Sequence, residues 1–288
     1  MDEGQTLLLG FIAGVTILLG LPLGRMRAPA PGLRVFLNAV AIGILVFLLW
    51  DVLAHAWEPV DTALGALRDG SGDLGPVLGY GTLFLGGIGV GLLSLVGYEQ
   101  WMTRRAGAPP SSATAGGSVG GPGAMAATEV PARPAWSPAR RLALLIAVGI
   151  GLHNFGEGLA IGGSAAQGQI ALATLLVIGF ALHNATEGFG IVAPLAADGD
   201  RPSWGFLAVM GLIGGGPTFL GTALGHEFSS DPLSVVFLTL AAGSILYVVI
   251  QLTGVALRSP RRTLLYWGVL AGLAAGFVTD MVVTAGGA

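Results

Sequence analysis

The sequence predicts an all-α membrane protein of eight transmembrane helices, and three observations carry that prediction. The 288-residue chain is 53% hydrophobic and only 10% charged, with a mean hydropathy of +0.78, whereas soluble domains carry about 25% charged residues. Apolar runs long enough to cross a hydrocarbon core, which takes about 20 helical residues, recur from one end to the other. The arginines gather in alternate connections between those runs.

The first run, 5–24, follows Asp2 and Glu3 and precedes Arg25 and Arg27. That charge order is the reverse of a secretory signal peptide's, so the run is expected to be a retained helix with its N-terminus outside. Helices 2 and 3 are expected at 33–56 and 76–101, bounded by the turn sequences Arg-Ala-Pro-Ala-Pro-Gly at 27–32 and Asp-Gly-Ser-Gly-Asp at 69–73. The glycine-dense run Gly86–Gly91 lacks the strand-to-helix setting of a nucleotide loop and reads as close helix packing. Residues 104–138 are rich in Gly, Ala, Pro and Ser and cannot bury a core. They are expected to form a disordered cytoplasmic linker between helices 1–3 (residues 1–103) and helices 4–8 (139–288) of one membrane domain. The last five helices are expected at 139–163, 169–195, 204–225, 233–257 and 263–285, with breaks at Asp-Gly-Asp-Arg-Pro (198–202) and Arg-Ser-Pro-Arg-Arg (258–262). None of the runs alternates as a membrane strand would.

With the N-terminus outside, every arginine except Arg68 falls in a cytoplasmic connection or at its edge: Arg25, Arg27 and Arg34; Arg104, Arg105, Arg133, Arg140 and Arg141; Arg201; Arg258, Arg261 and Arg262. The positive-inside rule thus supports both the helix count and the orientation. There is no lysine, and 49 residues are glycine, a composition typical of GC-rich bacterial coding, which points to a bacterial inner membrane. Zero cysteines exclude disulfides, iron-sulfur clusters and thiolate metal sites. No nucleic-acid partner is expected of so apolar a chain.

Within helices 4 and 5 one pattern occurs twice: His153-Asn-Phe-Gly-Glu-Gly158 and His183-Asn-Ala-Thr-Glu-Gly188. Ionisable side chains at membrane depth are costly and by default mark an ion pathway or site. Residues i and i+4 share a helix face, so His153 with Glu157, and His183 with Glu187, each present an imidazole and a carboxylate to one side. Asn154 and Asn184 lie about 100° round from them, placed for a second position that shares the glutamates. A single such pair also arises as an interhelical hydrogen bond. Two copies at matching depth on an antiparallel hairpin instead form an inverted repeat around a midplane site. Imidazole nitrogens with carboxylate oxygens suit zinc, iron(II), manganese or cadmium better than magnesium or calcium.

His-Asn-x-x-Glu-Gly in helices 4 and 5, within eight helices and after a long variable loop, resembles the ZIP family of divalent metal transporters, most closely its prokaryotic branch. The resemblance implies a 3+2+3 bundle with inverted repeats and frequent homodimers. It also implies transport by sliding or rocking of one helix group against another. His153, Glu157, His183 and Glu187 would form the main transport site, and Asn154 and Asn184, bridged by the glutamates, a neighbouring one. This chain departs from the pattern in carrying Gly156 and Thr186 where many members have proline, and Gly216 where members carry the glutamate of a helix 6 Glu-Pro. A single strong site is therefore the expectation. The linker has no histidine cluster, so no metal-sensing loop is expected.

Elsewhere, Asp51, His55 and Glu58 follow one another at turn spacing near the end of helix 2. They read either as an entrance relay or auxiliary ligands, or as an interfacial cap anchored by Trp50 and Trp57. Glu99 reads as an exit ligand or as the ion-pair partner of Arg104 or Arg105. The function expected is uptake of a divalent ion, zinc first and then cadmium, iron, manganese or cobalt, as substrate, with no permanent cofactor. The alternative is an intramembrane hydrolase whose metal activates water at the same ligands; neither zincin His-Glu-x-x-His nor di-iron Glu-x-x-His spacing is present.

Overall fold

The architecture comes from a computed structural model that describes residues 2–25, 31–107, 136–168, 170–227 and 230–285. The described residues form helices α1 (Glu3–Val15), α2 (Pro31–Arg68), α3 (Leu74–Gly107), α4 (Pro138–Ala166), α5 (Ile170–Asp198), α6 (Trp204–Glu227), α7 (Asp231–Leu257) and α8 (Arg262–Ala285). Eight helical segments among them are long and apolar enough to span a membrane. The expected linker lies outside the described residues from 108 to 135, and at its edges helix continues: α3 runs to Gly107 and Ser137 caps α4, its side chain accepting from the Arg140 N–H at 3.2 Å.

Two further helices differ from their expected outlines. The first span is not one α-helix: after α1 come two 3-10 turns, Thr16–Leu19 and Leu21–Arg25. Pro22 has no N–H to bond back to Leu18, and the Thr16 hydroxyl donates to Ala13 O at 2.6 Å where the α-helix gives way to the first 3-10 turn. The second, expected to end at 56, continues to Arg68. Residues 57–68 are too polar for a membrane-length apolar window but include Ala, Leu, Glu and Arg, which favour helix. The turn after it closes through Gly70 at φ +72°, a left-handed conformation that glycine adopts without strain.

Packing divides the bundle into two groups. In one, α4 lies against α6 and α5, and α1 against α5 and α6; in the other, α2 lies against α8 and α7, and α3 against α7. The groups meet chiefly where α4 crosses α7 and α2 crosses α5. Within a group, glycines let backbones touch, as expected where lipid supplies no hydrophobic drive between helices. A Cβ on Gly221 of α6 would strike Phe155 O of α4, and one on Gly158 would strike Thr218 O of α6. In α3, Gly87 and Gly91 face Thr239 and Leu240 of α7 in the same way.

One end of the bundle collects the arginines. Arg25 donates to Pro202 O, Arg34 to Ala196 O at 2.9 Å, and Arg140 makes a two-pronged pair with Asp200 at 2.6 and 3.0 Å. That pairing holds the Asp200 carboxyl below its usual range. Arg261 packs beside Gly32, at the same end.

Gly221→Ala is expected to destabilise the bundle by about 1–3 kcal/mol, the usual cost of overpacking, seen as a lower thermal midpoint in detergent. Gly79→Ala, where a Cβ meets nothing within 4 Å, is expected to leave the midpoint unchanged or raise it slightly. Equal effects of the two would contradict the close-approach role of Gly221.

Candidate metal centre

The α4–α5 hairpin brings the two motifs face to face. His153 Nε2 lies 3.0 Å from Glu157 Oε1 on its own helix, and His183 Nε2 reaches the same Oε1 across the hairpin at 2.5 Å. Glu187 Oε1 stands 3.8 Å from His153 Nε2, and the two imidazole centroids are 6.2 Å apart. All four residues are buried, Glu187 to 1% exposure. His153, Glu157 and His183 each offer a ligand atom within 4.8 Å of the others. Both Glu187 oxygens and Glu157 Oε2 find no hydrogen-bond partner among the described residues. Buried acceptors left in that condition cost several kcal/mol or take up a cation.

The asparagines do a different job with their amide nitrogens. Asn184 Nδ2 donates to Ala13 O of α1 and Asn154 Nδ2 to Gly214 O of α6, each at 3.0 Å. The two bonds are counterparts, and α1 and α6 themselves cross where Gly14 and Gly215 touch. Each amide bond orients its Oδ1, and both Oδ1 atoms are buried without a partner among the described residues. Ala13 O accepts from Asn184 where α1 gives way to its 3-10 turn. Both carbonyl partners were missed from sequence, because a backbone acceptor has no side-chain signature. Gly20 and Pro22 signal the break in the first span, and Pro217 interrupts the ladder of α6.

Gly216 lines an apolar groove between α1 and α6 with Phe11, Leu212 and Leu220, and no member of the His/Glu cluster lines that groove. A side chain at 216 would point away from the cluster; it is Gly214 that faces inward, meeting Ile17 and Ile191.

A cavity of about 190 Å3 leads from His153 and Glu157 past Asp51 and His55, between α2, α4, α5 and α7, away from the arginine-rich end. Through Gly156, Ala160 and Leu238 it adjoins a second chamber of about 380 Å3, which Ser164, Gln167 and Ser230 line further out. Toward the arginine-rich end, by contrast, Leu45, Ile191, Val248 and Leu252 are packed and fully buried. Asp51 and His55 thus belong to the cavity of the cluster, 3.5 Å from each other. Glu58 is exposed and lines a separate recess with Asp73, Tyr80 and Asp231. Glu99 accepts from Tyr247 Oη at 2.9 Å and Gln251 Nε2 at 3.0 Å, tying α3 to α7. These α7 donors, far off in sequence, are partners of Glu99 that neither reading of it, exit ligand or ion-pair partner of Arg104 or Arg105, had named.

A sequence model described as "Zip: ZIP Zinc transporter" matches residues 104–274, from the end of α3 through most of α8. No curated protein matches the chain significantly. The family match covers more than half of the chain and takes in both copies of the histidine motif: this protein belongs to the ZIP zinc transporter family.

Proposed function

We propose that the protein carries a divalent transition metal ion, zinc foremost, across a bacterial inner membrane by alternating access. The observation that supports this most directly is the buried convergence of His153, Glu157 and His183, with Glu187 beside them, at the closed end of a cavity. Two carboxylates and two imidazoles supply a net charge of −2 when the histidines are neutral, which a divalent cation balances. A mixed nitrogen and oxygen set suits zinc, and equally admits cadmium, iron(II), manganese or cobalt. Asn154 Oδ1 and Asn184 Oδ1 would complete a weaker second position that shares the glutamates.

In this reading the arginine-rich end is cytoplasmic and the N-terminus outside, as positive-inside ordering requires. The ion enters past Asp51 and His55. It sheds water as it meets Glu157, whose Oε1 lies between the two histidines, and displaces the protons those ligands carry. Release follows when the α1, α4, α5 and α6 group moves against α2, α3, α7 and α8 and parts the apolar plug at Leu45, Val248 and Leu252. Glu99, bonded to Tyr247 and Gln251 of α7, stands level with that plug, where it would serve as an exit ligand. The bundle works within a lipid bilayer, and pairing into a homodimer is compatible with the exposed outer face of α3, where Gly79, Gly81, Gly86 and Gly89 have nothing packed on them.

Glu157→Ala and His183→Ala are expected to reduce uptake into proteoliposomes to background for zinc, cadmium, iron, manganese and cobalt, while the protein still purifies as a folded species. Undiminished uptake in both variants would remove the cluster from the transport path. Hydrolysis of a peptide or lipid without uptake of any metal would favour an enzyme.

Because each histidine must be neutral and each glutamate ionised to bind metal, affinity is expected to fall as pH falls. The loss should be about tenfold per pH unit for each proton displaced, read by calorimetric titration with zinc. A pH-independent affinity would mean that metal binds elsewhere.

Asp51→Asn is expected to raise the zinc concentration for half-maximal uptake by a few fold, through loss of local attraction, with the maximal rate little changed. An unaltered concentration dependence would exclude Asp51 from the entrance.

A further inference from the structure

We propose that the arginine-rich end holds a site for a phosphate group, seated in the cleft between the two helix groups. It is independent of the metal ligands, and rests on membrane embedding alone. A cavity of about 250 Å3 opens there, bounded by the first turns of α2, the last turns of α5 and the end of α7. Arg34 and Asn38, one turn apart on α2, face Arg258 and Ser259 from the end of α7, over a floor that includes Phe189 and Ala196 of α5. No acidic side chain lines it among the described residues.

Charge decides which ligand fits. The last turns of α5 and α7 direct carbonyls toward this end, and a helix C-terminus carries roughly half a negative charge. Two such ends amount to about one negative charge, against two full positive charges on Arg34 and Arg258. The cavity therefore favours an anion, and Arg261, packed beside Gly32 at the same end, adds to the potential.

Asn38 supplies a second and independent indication. It is 4% exposed, its Nδ2 donates to Leu252 O at 3.2 Å, and its Oδ1 lacks a hydrogen-bond partner among the described residues. An acceptor lining an anion cavity calls for a ligand that also carries an O–H. A phosphate group with a hydroxyl attached meets both demands: anionic oxygens for the two guanidinium groups and the Ser259 hydroxyl, and an O–H for Asn38.

Two sources offer that chemistry: the headgroup of an anionic phospholipid such as phosphatidylglycerol, or hydrogenphosphate from solution. The apolar floor favours the lipid, since it accommodates the glycerol end of a headgroup and gives a free ion nothing. Basic pockets between membrane helices are a recognised setting for anionic headgroups. A bound headgroup would touch α2 and α7 on one side and α5 on the other, bridging the two groups.

The test is native mass spectrometry and thermal unfolding of the purified full chain with phosphatidylglycerol or phosphatidylcholine, with and without millimolar inorganic phosphate. Wild type is expected to prefer phosphatidylglycerol, and Arg34→Gln and Arg258→Gln each to weaken that preference by about fivefold, the usual contribution of one arginine near a membrane surface. Arg68→Gln, at the opposite end, should leave it unchanged. If inorganic phosphate displaces the lipid or stabilises the protein by itself, the site is upheld with free phosphate as a ligand. Equal binding of the two lipids, a preference that survives both arginine substitutions, or an equal loss in Arg68→Gln would overturn it. Arg34 also holds Ala196 O; should its variant fail to fold, the exposed Arg258 decides the matter alone.

Discussion

Four ionisable side chains are withdrawn from water together in an apolar bundle, and the arrangement around them answers that expense. An isolated carboxylate at such depth is prohibitive, so Glu157 sits between two imidazoles, one from each copy of the motif. The hairpin must bring α4 and α5 close enough for this, and their outer neighbours must come equally near. Gly158 admits α6 to α4, while Gly188 admits the 3-10 segment after α1 to α5. The asparagine beside each histidine then ties its helix to that neighbour's backbone. The glycines and asparagines of the motif are, in this sense, the frame that lets the histidines and glutamates meet.

That frame makes α1, α4, α5 and α6 a body stitched by backbone contact and amide hydrogen bonds. Among the described residues, the links across its boundary with the other group include the Ser244 hydroxyl on Gly149 O at 2.9 Å, Arg34 on Ala196 O, and the edge-on rings of Phe155 and Phe237. The cluster lies wholly within the first body, on α4 and α5. The lining of its cavity belongs partly to the second, through Leu48, Asp51 and Leu238. A boundary of that kind is easier to shear than the interior of either group.

Much of this was legible in the sequence because membrane constraints are strict. Eight apolar runs, a histidine repeated with a glutamate four residues on, and arginines confined to alternate connections leave few alternatives. What escaped has physical reasons. The extension of α2 past 56 escaped because hydropathy reports the preference for lipid, and residues 57–68 are helical without being lipid-soluble. The break in the first span was hidden by its apolar composition, although Gly20 and Pro22 were present to read. The partners of Glu99 lie 148 and 152 positions away in the chain, so only tertiary structure could supply them. Asp51 and His55 read from sequence either as an entrance relay or auxiliary ligands or as an interfacial cap, and only the packing of α2 against α5 and α7 sets them along the cluster's cavity.

The 38 residues of α2 amount to about 57 Å of helix at 1.5 Å per residue, against a hydrocarbon core of about 30 Å. Even a tilt of 40°, the steep limit for membrane helices, leaves about 44 Å along the bilayer normal. Part of this helix is therefore an overhang standing in water. With the turn that follows, it bears Glu58, Asp61, Asp69 and Asp73 against the lone positive charge of Arg68. Such an overhang concentrates cations over the cavity that Asp51 lines, within a Debye length of about 8 Å at physiological salt. Dissolved salt thereby sets how far this acidic canopy reaches into the surrounding solution.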